Sequence, residues 1–343
     1  MSNARPYRRA DFAPLRDTLY GVGFHWTTWT LPRKGKPQAF EAAVKAFDVS
    51  AFAQQVEDTG AGHVLFTATH ELHWLPGPDP EVDRIMQGRT CERDLLMEIA
   101  DALAARGIRF MIYYNHGTHQ DQDPEWQAAV GSKLPDRSKY FDNYLRIVRW
   151  MGQHYGEKVI AYWFDSGCAF ADLPSNPDTP WYDMTVAAKA GYPDRLICYN
   201  SGIESLKCYT PYQDYWAGEV ARLNYLPRGT RTPAGLPWYA FASWHPHPIW
   251  IGCGEWGLHK DSIALDWPAP PVESIADFLR RFRACDGAVT FNLLCYQDGS
   301  IYDSDLEVMS HLRAAVGTDR GLLRQVVERA VEPAGAGDAS HRV

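Results

Sequence analysis

Apolar runs rich in β-branched and aromatic residues alternate along the chain with stretches of helical period. Seven runs read as strands: Leu19–His25, His63–Thr69, Arg109–Asn115, Val159–Asp165, Arg195–Tyr199, Trp238–Ser243 and Ala288–Leu294. An eighth, with a weaker pattern, is expected around Tyr212–Trp216. Most of these runs are continuous rather than alternating, the pattern of strands covered on both faces of a parallel sheet. The helices between them have readable ends. Ser50–Thr59 stops at Gly60, Glu92–Arg106 at Gly107, and Ser138–Tyr155 at Gly156. Ser274–Cys285 carries Ile275, Phe278, Leu279 and Phe282 on one stripe. Ser304–Val316 opens on Ser304-x-x-Glu307, the spacing of a capping box.

About eight strand–helix units predict an α/β fold, a (β/α)8 TIM-type barrel, as a single domain. The expected layout is an N-terminal segment 1–18, the barrel over 19–317, a C-terminal helix over 318–330 and a disordered tail over 331–343. A doubly wound open sheet is the main rival. It loses ground because no Gly-rich dinucleotide fingerprint follows the first strand. Polar or Pro-rich segments at Thr30–Gln38, Leu75–Thr90, Gly117–Arg137, Leu173–Pro180 and Arg228–Leu236 read as loops, most of them at the barrel mouth.

Composition narrows the partners. The chain has 343 residues and a formal net charge of −8, with 34 Lys plus Arg against 42 Asp plus Glu. The only short basic cluster is Arg5-Pro6-Tyr7-Arg8-Arg9, so nucleic acid is not an expected partner. No apolar run is long enough for a membrane span, and Met1 to Leu15 lacks a signal core. Seven scattered cysteines form no C-x-x-C pair, which suits a reduced, cytoplasmic protein. Assembly into a homo-oligomer stays open. Thirteen Trp and 18 Tyr are many for this length. Large aromatics fill cores, and they also stack on sugar rings, so position must decide between the two.

Barrel chemistry sits at the C-terminal ends of the strands. Those ends here read Phe24-His25-Trp26, His70-Glu71-Leu72-His73-Trp74, Tyr114-Asn115-His116, Trp163-Phe164-Asp165-Ser166 and Ser243-Trp244-His245. They describe an aromatic, polar pocket. Asp165 ends a buried strand, which suits a nucleophile or general base; an N-cap is the alternative use of the same residue. A metal site drawn from His70, Glu71, His73, His116 and His119 is a rival chemistry, but residues at i and i+3 point to opposite faces of a strand. No metal and no cofactor is therefore expected. His245 and His247 read as loop surface, and Cys168 as a small buried side chain.

Tyr-Trp-Phe-Asp-Ser-Gly, ending at Gly167, resembles the Trp-Phe-Asp-Gly segment that holds the nucleophile in α-L-fucosidases of glycoside hydrolase family 29. Other segments agree with that family in order. Phe24-His25-Trp26 resembles its first strand end, and Val64 through His70 its second. Gly107 through Tyr114 resembles its third, and Phe291-Asn292-Leu293-Leu294 with Gln297-Asp298-Gly299-Ser300-Ile301 its close. The resemblance spans about residues 19–316. It implies a retaining exo-glycosidase that removes a terminal α-L-fucosyl residue from a small carbohydrate substrate, with Asp165 as nucleophile. It also implies sugar contacts from His25, His70, Tyr114, Trp163 and Trp256, to which placement at the barrel mouth adds Trp26, Glu71 and His116.

Four departures from the family pattern limit the carry-over. Glu71 stands where the second His of a His-His pair is expected. Tyr199-Asn200-Ser201-Gly202 lacks the Arg of an Asn-Asp-Arg segment. Tyr212 and Tyr239 fall where members carry their acid/base Glu. No β-sandwich is expected after the barrel. A retaining glycosidase needs a second carboxyl group about 5–5.5 Å from the nucleophile. Glu219 ranks first for that role, then Glu71, Asp214 and Glu255. A glycosidase for another sugar, or a carbohydrate-binding barrel without turnover, are the alternative functions.

Overall fold

In the computed structural model, residues 5–70, 72–115, 123–165, 167, 179–245, 256–258 and 268–317 are described. Eight parallel strands form one curled sheet: β1 Gly21–Phe24, β2 His63–Thr69, β3 Arg109–Asn115, β4 Val159–Asp165, β5 Leu196–Tyr199, β6 Glu219–Val220, β7 Tyr239–Ala242 and β8 Ala288–Leu293. Their order is β5-β4-β3-β2-β1-β8-β7-β6, so every strand pairs with its sequence neighbours except at β5 and β6, and β8 returns to β1. This is the (β/α)8 barrel expected from the pattern. β2, β3 and β4 occupy the predicted residues; β1, β5, β7 and β8 are trimmed at their ends.

Two cores follow from the period-two alternation of strand side chains. The inner one is built from Leu65, Met111, Tyr113, Ala161, Trp163, Cys198, Tyr239 and Phe241, among others. The outer one packs Phe24, Phe66, Ile112, Tyr114, Phe164 and Tyr199 against the helices. Complete burial of a side chain of this size is worth roughly 1.5–3 kcal/mol, so the strand parity is strongly enforced.

The helices follow the caps. Asp48 accepts the Ala51 N–H before Val49–Thr59, and Asp94 accepts the Met97 N–H before Leu95–Ala104. Ser138–Tyr155 matches its expected bounds. The last described helix is Asp303–Gly317, so Ser304 lies inside it rather than at its N-cap. Two predicted loops hold short helices. Pro80–Ile85 and Pro124–Val130 each start with an Asp-Pro-Glu triplet, whose Asp carboxylate caps the first turn while proline occupies N1. The tail and C-terminal helix expected after 317 lie outside the described residues.

The clearest difference from the expected pattern is the sixth strand. Tyr212–Trp216 is not a strand; the pairing with β7 occurs later, at Glu219 and Val220. Gly218 is the reason. Its φ is +58°, and a Cβ there would stand 1.9 Å from the Tyr239 carbonyl oxygen. The left-handed turn breaks the run and brings Glu219 into register with Phe241. No backbone ladder joins β5 to β6. Side chains span that seam instead: Trp163 Nε1 donates to the Ala217 carbonyl at 2.8 Å and the Tyr215 hydroxyl to the Tyr162 carbonyl at 3.0 Å.

The N-terminal segment closes the opposite end of the barrel. Ala10, Phe12 and Leu15 join the inner core. Asp214 ties them down: its carboxylate accepts from the Tyr7 hydroxyl, Ala10 N–H and Ile197 N–H, and pairs with Lys189 at 2.9 Å.

Candidate active site

Asp165 is the last residue of β4 and is 6% exposed. Its parity is that of Trp163 and Ala161, so it points inward at the C-terminal end of the barrel. Across the β3–β4 ladder Asn115 pairs with Asp165 and Tyr113 with Trp163. One carboxylate oxygen, Oδ2, accepts from the Tyr113 hydroxyl at 2.5 Å and from Asn115 Nδ2 at 3.3 Å. The other, Oδ1, accepts from Asn200 Nδ2 at 2.8 Å. Burial first, and the neighbouring Asp165 charge second, hold the Tyr113 phenol well above its ordinary pKa, so it remains a donor.

Glu219 stands across the β5–β6 seam. The same Asn200 nitrogen donates to Glu219 Oε2 at 2.7 Å. Laid end to end, the two bonds of 2.8 and 2.7 Å cap the separation of the bridged oxygens at 5.5 Å. Burial raises the Glu219 carboxyl from its usual 4.5 to about 8, the Asp165 charge adds to the rise, and the Asn200 bond works against it. One carboxyl of the pair is thus held as an acid near neutral pH.

The walls are aromatic. His25 follows β1 and is buried; its Nδ1 lies 3.2 Å from Asn292 Oδ1. Its ring stacks on Phe241, with centroids 5.6 Å apart and planes 9° apart, and meets Tyr113, His70 and Trp256 at 4.6, 5.3 and 5.6 Å. Trp256 in turn lies 4.9 Å from Phe241. Trp163 stacks on Tyr113 at 5.1 Å, one layer below Asp165, and forms the floor. His70 Nδ1 is buried without a hydrogen-bond partner among the described residues. An unpartnered buried ring nitrogen beside this cluster is a ready contact for a ligand hydroxyl.

The structure therefore brings together Asp165, Glu219, His25, His70, Trp163 and Trp256. It does not bring in Trp26 or Tyr114. Trp26 packs outward against Phe40, Phe47 and Phe66, and its Nε1 donates to the Gln297 carbonyl. Tyr114 points into the helix layer beside Tyr144 and Phe164, with its hydroxyl 3.3 Å from His73 Nε2. Both lie one residue from an inward position, and strand alternation sends them to the far face. The inward tyrosine is Tyr113. Asp214 is withdrawn as a candidate acid, because it lies at the other end of the barrel with every contact committed to backbone, Tyr7 and Lys189. Glu71, His116, His119, Cys168, His247 and Glu255 lie outside the described residues. His73 stacks on Trp126 at 4.1 Å in the outer layer. His245 is not surface: it is buried and its Nε2 lies 2.7 Å from Asp305 Oδ1.

Sequence reasoning missed Tyr113, Asn115 and Asn200. Counting back by twos from Asp165 through a parallel register would have selected the first two, and the third stands where the family's Asn-Asp-Arg segment begins. Gly167 lies against Asn200: a Cβ there would stand 2.7 Å from the Asn200 carbonyl oxygen and 2.9 Å from the Tyr199 Cβ, so the chain just after β4 passes close to the end of β5.

The family profile described as Alpha-L-fucosidase matches residues 4–218, more than half of the chain. No curated protein matches in sequence. Among solved structures, an α-L-fucosidase GH29 from Bacteroides thetaiotaomicron superposes with a TM-score of 0.63 at 16% identity, over 92% of this chain and 75% of that one. The α-L-fucosidase AlfC from Lactobacillus casei, in complex with α-L-fucose product, gives 0.61 at 15% identity, over 89% and 97%. An endo-fucoidan hydrolase from glycoside hydrolase family 107 gives 0.62 at 15% identity, over 88% and 63%. At these identities the superpositions establish the fold.

Proposed function

The chain belongs to the α-L-fucosidase family of glycoside hydrolases, and from that premise we propose that it is a retaining exo-glycosidase which releases a terminal α-L-fucosyl residue by double displacement. The observation that carries the reading is the Asp165–Asn200–Glu219 bridge, with its 5.5 Å ceiling on the bridged oxygens. Retaining enzymes place their two carboxyl groups about 5–5.5 Å apart, whereas inverting enzymes leave about 6.5–9.5 Å for a water.

Asp165 attacks the anomeric carbon while Glu219 passes its proton to the departing glycosidic oxygen. The C–O bond to the leaving group breaks as the bond to the Asp165 carboxylate forms. Glu219, now ionised, takes a proton from water, the resulting hydroxide displaces Asp165, and both carboxyl groups return to their starting states. His25 and His70 bind sugar hydroxyls, and Trp163 and Trp256 wall the ring. The Glu219 proton is present below about pH 8, so kcat/KM is expected to fall as pH rises through that value.

The test is hydrolysis of 4-nitrophenyl α-L-fucopyranoside beside the corresponding galactoside and arabinoside, with proton NMR of the first-formed sugar. α-L-Fucose as the initial product, and loss of at least about 10⁴-fold in Asp165→Ala, are expected. β-Anomer formed first would exclude retention. Cleavage of a galactoside with no action on the fucoside would move the substrate assignment.

A further inference from the structure

Asn200 presents one nitrogen to two carboxyl groups. Both Nδ2 protons are committed, one to Asp165 Oδ1 and one to Glu219 Oε2. The other end of the amide is pinned as well: Oδ1 accepts the Gly202 N–H at 3.0 Å. The backbone is fixed by Asn200 N–H donating to the Phe164 carbonyl at 2.8 Å, one residue before Asp165. Turning the amide over would set its oxygen against two carboxylate oxygens and its NH2 against an N–H, so the network fixes its orientation. The seam between β5 and β6 has no backbone ladder. Other bonds cross the seam lower down, and Asn200 is the hydrogen-bonded link between the two carboxyl groups themselves.

We propose that Asn200 is the positioning residue of the site, holding Asp165 and Glu219 at fixed separation across the open seam and assigning the transferable proton to Glu219 Oε1. The second part follows from valence. An oxygen that accepts the amide N–H in both protonation states is the carbonyl-like oxygen of the acid, so the acidic O–H lies on the other one. That Oε1 proton is the one that moves to the glycosidic oxygen and is regained from water in the second step. This inference rests on the reading of Asp165 and Glu219 as nucleophile and acid/base.

A residue that only packs and a residue that couples the pair differ in what they do to titration. The amide stabilises the ionised form of Glu219, so removing it must raise the pH at which Glu219 gives up its proton. Two variants are compared. Asn200→Ala deletes the donor, and Asn200→Asp keeps the shape while turning the donor into an acceptor. Thermal melts establish that each is folded. On 4-nitrophenyl α-L-fucopyranoside, each is expected to lose about 100-fold in kcat/KM, the scale of a small misplacement of reacting groups. The basic limb of the pH profile should move upward, further in Asn200→Asp than in Asn200→Ala. The Glu219 carboxyl is followed in parallel by ¹³C NMR of glutamate-labelled protein, assigned by its disappearance in Glu219→Gln. That titration should move upward in both variants whether or not the fucoside is turned over. An unmoved Glu219 titration in both folded variants overturns the inference. A moved titration in a protein inactive on every fucoside overturns the functional reading and leaves the coupling standing.

Discussion

A carboxylate proposed to attack carbon needs donors that hold it still without taking its charge. Asp165 has three among the described residues: the Tyr113 phenol, the Asn115 amide and the Asn200 amide. The phenol makes the shortest of these contacts and stays protonated through burial. Tyr113→Phe keeps the ring on Trp163 and deletes only the O–H. It is expected to lower kcat 10- to 100-fold, while thermal unfolding changes by no more than about 1.5 kcal/mol. Tyr114→Phe, one residue away on the outer face, should leave kcat within about threefold. Steady-state kinetics of the two single variants, side by side, check the parity assignment. Equal losses, or a larger loss at 114, would contradict it. At this scale the sequence singled out Asp165, His25 and His70 as candidates because their types are rare at the ends of apolar strands, and it ranked Glu219 first among four candidate acids. It could not choose between adjacent tyrosines. Both are large, both are buried, and which of them faces inward depends on the register of β3 against β4.

At the scale of elements, Glu219 owes its place to a turn rather than to a strand. β6 is two residues long, and Gly218 puts it where it is by crossing the Tyr239 carbonyl in a left-handed conformation. Gly218→Ala is expected to destabilise the protein by about 2 kcal/mol or more, since the new methyl group meets backbone that cannot retreat. Activity should fall at least 10-fold in the molecules that remain folded, because Glu219 moves with the turn. Denaturant unfolding and kcat/KM on the same preparation separate the two effects. An alanine variant with normal stability would show that the turn is not needed. The longer helices, by contrast, were readable in advance where an apolar stripe ends at Gly60, Gly107 or Gly156. The two Asp-Pro-Glu helices were overlooked because a single short turn carries too little apolar periodicity to stand out from a loop.

For the molecule as a whole, the barrel divides its carboxylates between two ends. At one end Asp165 and Glu219 face the mouth. At the other, Asp214 anchors the N-terminal segment that fills the barrel floor, with Tyr7, Lys189 and two backbone N–H groups as its partners. Asp214→Asn leaves the Lys189 ammonium buried without its counter-charge. It is expected to cost about 3 kcal/mol of stability and to keep kcat/KM within about threefold, read from thermal melts and the fucoside assay. A loss of activity without a loss of stability would return Asp214 to the list of acids.

The fold class lay within reach of the sequence because burial on both faces forces continuous apolar runs, and that pattern is local. Asp165 was accessible as a candidate for the same reason: a charged residue at the end of such a run has few other uses. The pairing of Asp165 with Glu219 through Asn200 was not. Thirty-five residues separate Asp165 from Asn200 and nineteen separate Asn200 from Glu219. Their meeting depends on how the sheet curls and where its ladder is left open. Closure of a barrel brings strand ends together through long-range contacts, and no local pattern encodes which side chains then meet across the seam.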